Sequence, residues 1–392
     1  MAALRDPDAR PGTDAARGFE RRNQHFNRMV DTPGLRWMGQ NTNHYPSHPA
    51  VRDAMIGCIR DEAFHAYAPP AGLEELRELV IHDLGLAGFL PFITDGAVSG
   101  LYHVCRTLCR PGDQFVTTDP TWAWPMAFAR DAGAEVLQIP IYGDEHRYRL
   151  DPERLRAAVT ERTRIIYLVD PNNPLGTCCT RGEIAAIADI ARSVGAYLVH
   201  DCTYRDFAYE HHLAAHHYPE RTITAWSFSK WLGFAGLRVG AIIGPGDVME
   251  RFASAPPNNL GSSILAQRGA VAGLRIKAEW FPGVLAAQRA NQALVRATVQ
   301  AIPGLRVPVF PSNGNFLIIE CDRAGVRPEA LCAIMARHGI QIRHGGYHTR
   351  AFGGRFIKVS LTVPGEWAEA FCAVLPDAVS EARGMQEVAE QF

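Results

Sequence analysis

A lysine that follows an apolar run and stands among two hydroxyls, an arginine and large aromatics has the makings of a reactive amine. The segment Ser227-Phe-Ser-Lys230-Trp-Leu-Gly-Phe-Ala-Gly-Leu-Arg238 is such a place. Desolvation lowers the pKa of an ammonium and leaves a neutral amine, a nucleophile toward carbonyls. Ser227, Ser229 and Arg238 are donors that could clasp a phosphate. Amine, hydroxyls and guanidinium together suit an aldehyde cofactor bearing a phosphate, namely pyridoxal 5'-phosphate. A lone lysine is ordinarily a solvated surface residue, but Trp226, Phe228 and Trp231 make an apolar setting that fits a surface lysine poorly. Lysine occurs only at 230, 277 and 358 among 40 basic residues, the rest being arginine. Each surviving lysine therefore raises the question of a chemistry that a guanidinium cannot perform.

Four further segments carry residues of the right type. Asp170-Pro-Asn-Asn173-Pro-Leu-Gly176 is rich in turn formers, and an ordinary turn would explain it as well. Asp201, in His200-Asp-Cys-Thr-Tyr204, ends an apolar run, where a buried carboxylate needs a cationic partner. Thr94-Asp-Gly96-Ala97-Val98-Ser99 opens a helix expected over residues 98–109, and the free N–H groups and dipole of such a start form an anion site. Asp119-Pro-Thr-Trp122 supplies an aromatic that could equally belong to the core.

The elements that must hold these residues are legible as apolar runs. Strands are expected at residues 91–94, 114–119, 135–141, 164–170, 196–201, 222–227 and 239–244, alternating with helices. Thr180 and Glu183 form a capping box for a helix over 180–193, with Ile184, Ile187, Ala188 and Ala191 as its apolar stripe. Strand and helix in turn imply a mostly parallel sheet covered on both faces, with ligands beyond the carboxyl ends of the strands. After about 270 the pattern changes to a long helix (283–301) and strands near 315–320 and 356–362, a second α+β unit. The expected organisation is a flexible arm over 1–30, a large domain over 51–270, and a small domain built from 31–50 and 271–392.

Composition bounds the function. A net charge of −1 argues against a nucleic-acid or membrane-surface protein. No run of about 18 apolar residues is present, and residues 1–26 lack the apolar stretch of a secretory signal. Nine scattered cysteines without a CxxC read as reduced thiols, and a cytoplasmic location is expected. Neither GxGxxG nor GxxxxGK[ST] occurs, which weighs against nicotinamide and nucleoside-triphosphate enzymes. His211, His212, His216 and His217 fall in an expected loop and read as structural or solvated rather than metal-binding; no metal is expected.

Taken in order over roughly residues 35 to 375, these segments resemble the class I/II aminotransferases, fold-type I pyridoxal-phosphate enzymes, with the histidinol-phosphate branch nearest. The resemblance implies a large domain with a mostly parallel seven-stranded sheet beside a smaller α+β domain. It implies that Lys230 carries the cofactor as an internal aldimine and moves the proton between substrate Cα and cofactor C4'. Asp201 would pair with the pyridine nitrogen; Asn173 and Tyr204 would bond the phenolic oxygen, and Trp122 would stack on the ring. Gly96, Ala97 and Val98, with Ser227, Ser229 and Arg238, would hold the phosphate. Tyr67, in Tyr-Ala-Pro-Pro-Ala-Gly72, matches a tyrosine that reaches the phosphate from the neighbouring subunit, so a homodimer with shared sites is implied, with residues 258–261 near the partner. Asn41 and Asn43, in Asn41-Thr-Asn-His-Tyr-Pro, and Asn315 match positions lining the substrate pocket.

Two positions depart from the pattern. Leu175 replaces a threonine beside the expected cofactor and would reshape the pocket floor. Lys358, in Arg355-Phe-Ile-Lys358-Val-Ser360, stands where the family carries the arginine that clamps the substrate α-carboxylate. A point donor cannot reproduce the planar fork. Either the carboxylate is held otherwise, by Arg343, Arg350 or Arg355, or the substrate is not a common amino acid. The leading expectation is an aminotransferase acting on an amino acid in specialised metabolism. The alternative is side-chain replacement, elimination or carbon–carbon bond formation on the same cofactor, with S-adenosylmethionine a candidate substrate. A transcription regulator on the same fold would need an N-terminal DNA-binding domain, for which about 30 residues are too few.

Overall fold

The computed structural model describes residues 13–255 and 260–385. Among the described residues twelve strands follow one another: β1 (Arg36–Trp37), β2 (Leu90–Thr94), β3 (Gln114–Asp119), β4 (Glu135–Pro140), β5 (Thr163–Val169), β6 (Tyr197–Asp201), β7 (Thr222–Ser227), β8 (Gly240–Gly244), β9 (Phe316–Glu320), β10 (Ile340–Gln341), β11 (Arg343–His344) and β12 (Phe356–Ser360). Seven of them form the large sheet in the order β2-β8-β7-β6-β5-β3-β4, with β8 antiparallel to both neighbours and the remaining pairs parallel. The mostly parallel sheet expected from the alternating apolar runs is present, within one residue at nearly every strand end. Its inner strands β5, β6, β7 and β8 are almost wholly buried because helices cover both faces.

The small domain holds an antiparallel sheet in the order β11-β12-β9, and a two-residue parallel pair of β1 with β10 that ties residues 36–37 to it. The boundary expected at residue 270 falls inside one continuous helix, Ile264–Gln300. Its first half packs Ala266, Ala270 and Phe281 into the core of the large domain, and Val295 and Val299 enter the core of the small one. Pro282-Gly283 read as a helix start; packing on both sides carries the helix through them, overriding local propensity. Residues 13–31 also depart from the expected aperiodic arm: they form a helix, with Phe26 partly buried and Met29 buried three positions on. Its large apolar residues, Phe19, Phe26, Met29 and Val30, are few and widely spaced among charged and amide side chains, so the run does not stand out. The first twelve residues of that arm lie outside the described residues.

Lys277, one of the three lysines, is explained within the fold. Its ammonium bonds Asp83 at 2.8 Å and Asp206 at 2.6 Å, and lies 4.9 and 4.8 Å from the ring centres of Trp226 and Trp231. Trp226 Nε1 donates to the second Asp206 oxygen at 3.0 Å, and Arg205 also engages Asp83. A compact charge fits between two indoles and two carboxylates where a planar fork would not. Removing one partner of a buried ion network costs about 3 kcal/mol or more. Lys277→Ala should therefore lower the thermal midpoint by several degrees, read by calorimetry. An unchanged midpoint would contradict the buried network.

Candidate active site

The carboxyl ends of β3, β5, β6 and β7 meet the small domain around a cavity of about 320 Å³. Ala97, Val98, Trp122, Asn173, Asp201, Tyr204, Ser227, Ser229, Lys230 and Arg238 line it from the large domain, and Arg343, Tyr347, His348 and Lys358 from the small one. Phe26, Gln40 and Asn41 close the remaining side.

Lys230 lies in the short helix Phe228–Trp231, directly after β7, whose N-cap is Ser227. Its Nζ donates to the Gln40 carbonyl at 2.9 Å. Burial, reinforced by the nearby Arg238 charge and only partly opposed by Asp201, brings its pKa down to about 8. Asp201 is buried and held by neutral donors: Tyr167 OH at 2.8 Å and the Thr203 N–H at 3.1 Å. Burial raises its carboxyl above the ordinary value against those hydrogen bonds, so it is a carboxylate short of a cation. A protonated pyridine nitrogen is the cation that chemistry calls for.

The helix Ala97–Leu108 starts at Gly96 without a side-chain cap, so its first N–H groups are open to an anion. Two glycines build that start. Gly96 takes φ +76°, and a Cβ on it would lie 2.3 Å from Arg238 Nη2; a Cβ on Gly240 would lie 2.4 Å from the Ala97 nitrogen. Arg238 is fixed by the carbonyls of Ala235 and Asp95 at 2.7 and 3.2 Å. Open N–H groups, two hydroxyls and a guanidinium at one end, an amine in the middle, and an uncompensated carboxylate fit a phosphate-bearing pyridine aldehyde.

The sequence model of the family described as aminotransferase class I and II matches residues 33–375. The chain belongs to this family. It is accordingly a pyridoxal-phosphate-dependent transferase. Among similar proteins, the aminotransferase is 29% identical to an aspartate aminotransferase of Pyrococcus horikoshii over 69% of this chain and 71% of that one. It is 28% identical to an arginine–pyruvate transaminase of Pseudomonas aeruginosa over 66% of each, and 29% identical to a histidinol-phosphate aminotransferase of Rhodospirillum rubrum over 74% and 76%. Of solved structures, Thermus thermophilus aspartate aminotransferase with maleate superposes with a TM-score of 0.79 at 23% identity, covering 96% of this chain and all of that one.

Several expected residues stand elsewhere in the aminotransferase. Asn43 and Asn315 are buried behind the cavity wall rather than on it. Asn43 Nδ2 donates to the Trp231 carbonyl at 2.8 Å, and Asn315 Nδ2 to the Asn41 carbonyl at 3.0 Å. Asn43 thus ties down the short helix that carries Lys230, and Asn315 buttresses Asn41, whose own Nδ2 donates to Tyr204 OH at 2.9 Å and whose Oδ1 accepts from Ser360 at 2.9 Å. Leu175 does not touch the cavity: it is buried in the core with Tyr142 and Tyr148, because the turn directs its side chain inward. Arg350 is exposed, and Arg355 pairs with Asp322 at 3.0 Å over the Tyr142 ring. Of the three candidate replacements only Arg343 reaches the cavity, as the cross-strand partner of Lys358. Tyr67 is 82% exposed and does not line the cavity of its own chain. Asn258 and Asn259 lie outside the described residues.

His211 is buried rather than solvated, and ligand atoms of His200, Cys202 and His211 lie within 4.8 Å of one another. The arrangement serves a carboxylate. His200 Nδ1 accepts the Ala214 N–H at 3.2 Å, leaving its proton on Nε2, which faces Asp170 Oδ2 at 3.6 Å; His211 Nε2 lies 3.4 Å from the same oxygen. Burial pushes the Asp170 carboxyl up, and the two imidazoles with the Cys179 N–H outweigh it, holding it below its usual value. Asp170 in turn receives the Cys179 N–H at 2.8 Å and so pins the loop that carries Asn173.

Proposed function

We propose that this chain is an aminotransferase moving an amino group between an amino acid and a 2-oxo acid, with Lys230 as the amine that carries the cofactor and moves the proton. The observation that supports this most is the pairing of Lys230, its pKa brought to about 8, with the cation-deficient Asp201 across one cavity. Bound pyridoxal phosphate supplies an aldehyde that condenses with amines and a ring that withdraws electrons from the substrate Cα. The chain's residues do the rest. The N–H groups of Ala97 and Val98, with Ser227, Ser229 and Arg238, hold the phosphate. Asp201 keeps the ring nitrogen protonated, Asn173 and Tyr204 hold the phenolic oxygen, and Trp122 covers the ring face. Lys230, free as an amine during the reaction, takes the proton from Cα and returns it.

Arg343 and Lys358 face the substrate side together, and Lys358 Nζ donates to Asn173 Oδ1 at 3.4 Å. This pair supports the first reading of the lysine substitution, a carboxylate held by different cations. With Leu175 in the core and a guanidinium present after all, neither departure calls for replacement, elimination or carbon–carbon chemistry.

A homodimer belongs to the same proposal. Tyr67, Phe64, Ile59 and Leu260 are large exposed side chains, and Tyr67 cannot serve its own cavity from where it stands. Incubation of the cofactor-loaded protein with an amino-acid panel and 2-oxoglutarate, with mass spectrometry of products, should give matched 2-oxo acid and glutamate. Light scattering should give twice the chain mass, and Tyr67→Phe should weaken cofactor retention. Ammonia or side-chain fragments as products, or a fully active monomer, would refute the respective part.

A further inference from the structure

Asn173 stands at the tip of a closed loop whose neck lies behind the cavity. The Asn172 N–H donates across the loop to the Thr177 carbonyl at 2.8 Å, and the Gly176 N–H returns to the Asn172 carbonyl at 2.7 Å. At the tip Lys358 occupies Asn173 Oδ1, which leaves Nδ2 for the cofactor. Asp170 closes the neck: its Oδ1 accepts the Cys179 N–H, and its own N–H donates to the Asp201 carbonyl at 3.0 Å. One residue thus ties the Asn173 loop to the strand that ends in Asp201.

His211 reaches this neck from 41 residues further along the chain. Its Nε2 lies 3.0 Å from the Asp170 carbonyl oxygen and 3.4 Å from Asp170 Oδ2, and its ring stacks on that of His200 with centres 5.4 Å apart. Burial, only partly opposed by Asp170, brings the His211 pKa down to about 4, so the ring is neutral and a single proton on Nε2 faces both Asp170 oxygens. The segment around it is fixed in turn. The Cys178 thiol donates to the Glu210 carbonyl at 3.4 Å, and the Tyr209 N–H to Asn313 Oδ1 at 3.1 Å. Neither imidazole lines the cavity. A buried donor that meets the main chain and the side chain of one neck residue sets the orientation of everything hung from that neck.

We propose that His211 is a positioning residue for Asn173: by holding the carbonyl and the carboxylate of Asp170, it aims the Asn173 amide at the phenolic oxygen of the cofactor. This rests on the role given above to Asn173. An amide N–H on that oxygen favours the form of the bound cofactor that carries more negative charge, and so lowers the pH at which the cofactor gives up its proton. A loop tip that swings away weakens the bond and raises that pH. A side chain that merely fills space behind the cavity has no such lever.

The test follows the visible absorbance of the cofactor-loaded protein against pH. Asn173→Ala should raise the midpoint by about one pH unit or more, the size of a lost hydrogen bond to a charged group. His211→Leu should move it the same way by about half a unit, as should His211→Asn, whose amide stops short of Asp170. His211→Gln, which places an N–H close to the position of Nε2, should stay near wild type. In the double variant His211→Leu with Asn173→Ala the midpoint should equal that of Asn173→Ala alone, because a residue that acts through Asn173 has nothing left to act on. Thermal melts identify a variant that fails to fold; where His211→Leu does, His211→Asn takes its place, alone and in the double. A His211→Leu midpoint at the wild-type value, or a double variant whose shifts add, overturns the proposal and leaves the reading of the cavity intact. So does about one equivalent of zinc in the purified protein that His211→Leu loses, since His200, Cys202 and His211 would then be ligands. An Asn173→Ala midpoint equal to wild type refutes the placement of the phenolic oxygen and the proposal with it. If the amino-acid panel gives no 2-oxo acid yet the midpoints behave as expected, transamination fails and the positioning stands.

Discussion

Lys230→Ala is expected to lower turnover by about three orders of magnitude or more, the size of a lost proton-transfer group in the middle of its range or beyond. The cavity holds one other amine, Lys358, but its ammonium lies over the Phe316 ring, 5.4 Å from its centre, and bonds Asn173. It is poorly placed to substitute. Borohydride reduction of the loaded wild type, followed by peptide mapping, should place the cofactor on Lys230. A label on Lys277 or Lys358 would overturn the assignment. The attacking species is the neutral amine, so the pKa sets the pH profile of loading. Because the Lys230 value is about 8 instead of the usual lysine value, reconstitution of cofactor-free protein should quicken as pH rises toward about 8 and then level off. A rate that keeps climbing well beyond that would mean the amine is not desolvated.

The residues that could be read from sequence are those whose chemistry is tied to a local pattern. Strands β3 and β7 are single apolar runs, and the capping box of Thr180 with Glu183 is a four-residue signal; both are present where the pattern puts them. Asp201 ends a strand and Lys230, Asn173 and Trp122 follow strand ends, so finding the strands finds the cavity. What escaped depends on contacts between distant segments. Asn43 and Asn315 sit one layer behind the wall because Asn41 turns through φ +56° and takes the inner position, which no spacing reveals. His348 carries no local signal; only the loop with glycines at 345, 346 and 353 brings it to the cavity. The continuous helix Ile264–Gln300 was hidden by Pro282-Gly283, a local stop signal that two cores override. Arg343 was one of three candidates, and the cross-strand register with Lys358 singles it out.

That register also sets the result expected of Lys358→Arg, which would place at this position the arginine that the family resemblance implies. Lys358 is 3% exposed, closed in by Phe316, Asn173 and the facing Arg343. A second guanidinium there must stay charged in a buried wall that already carries one, and its fork lies beyond the point where the ammonium sits. Burial, Lys230 and Arg343 hold the Lys358 ammonium well below its ordinary pKa, a relief that an always-charged guanidinium cannot share. An arriving carboxylate reverses this and raises the pKa, so binding takes up a proton. Affinity for an anionic substrate is therefore full below the free-enzyme value and is lost as pH rises through the value in the complex. In Lys358→Arg that pH dependence should vanish, and kcat/KM should fall by about tenfold to a hundredfold, the cost of displacing a carboxylate by about 1 Å. Lys358→Met should lose chiefly KM, since Arg343 remains. Should Lys358→Arg match or exceed the wild type with the same pH profile, the lysine is a neutral replacement, and the clamp is the ordinary arginine one after all.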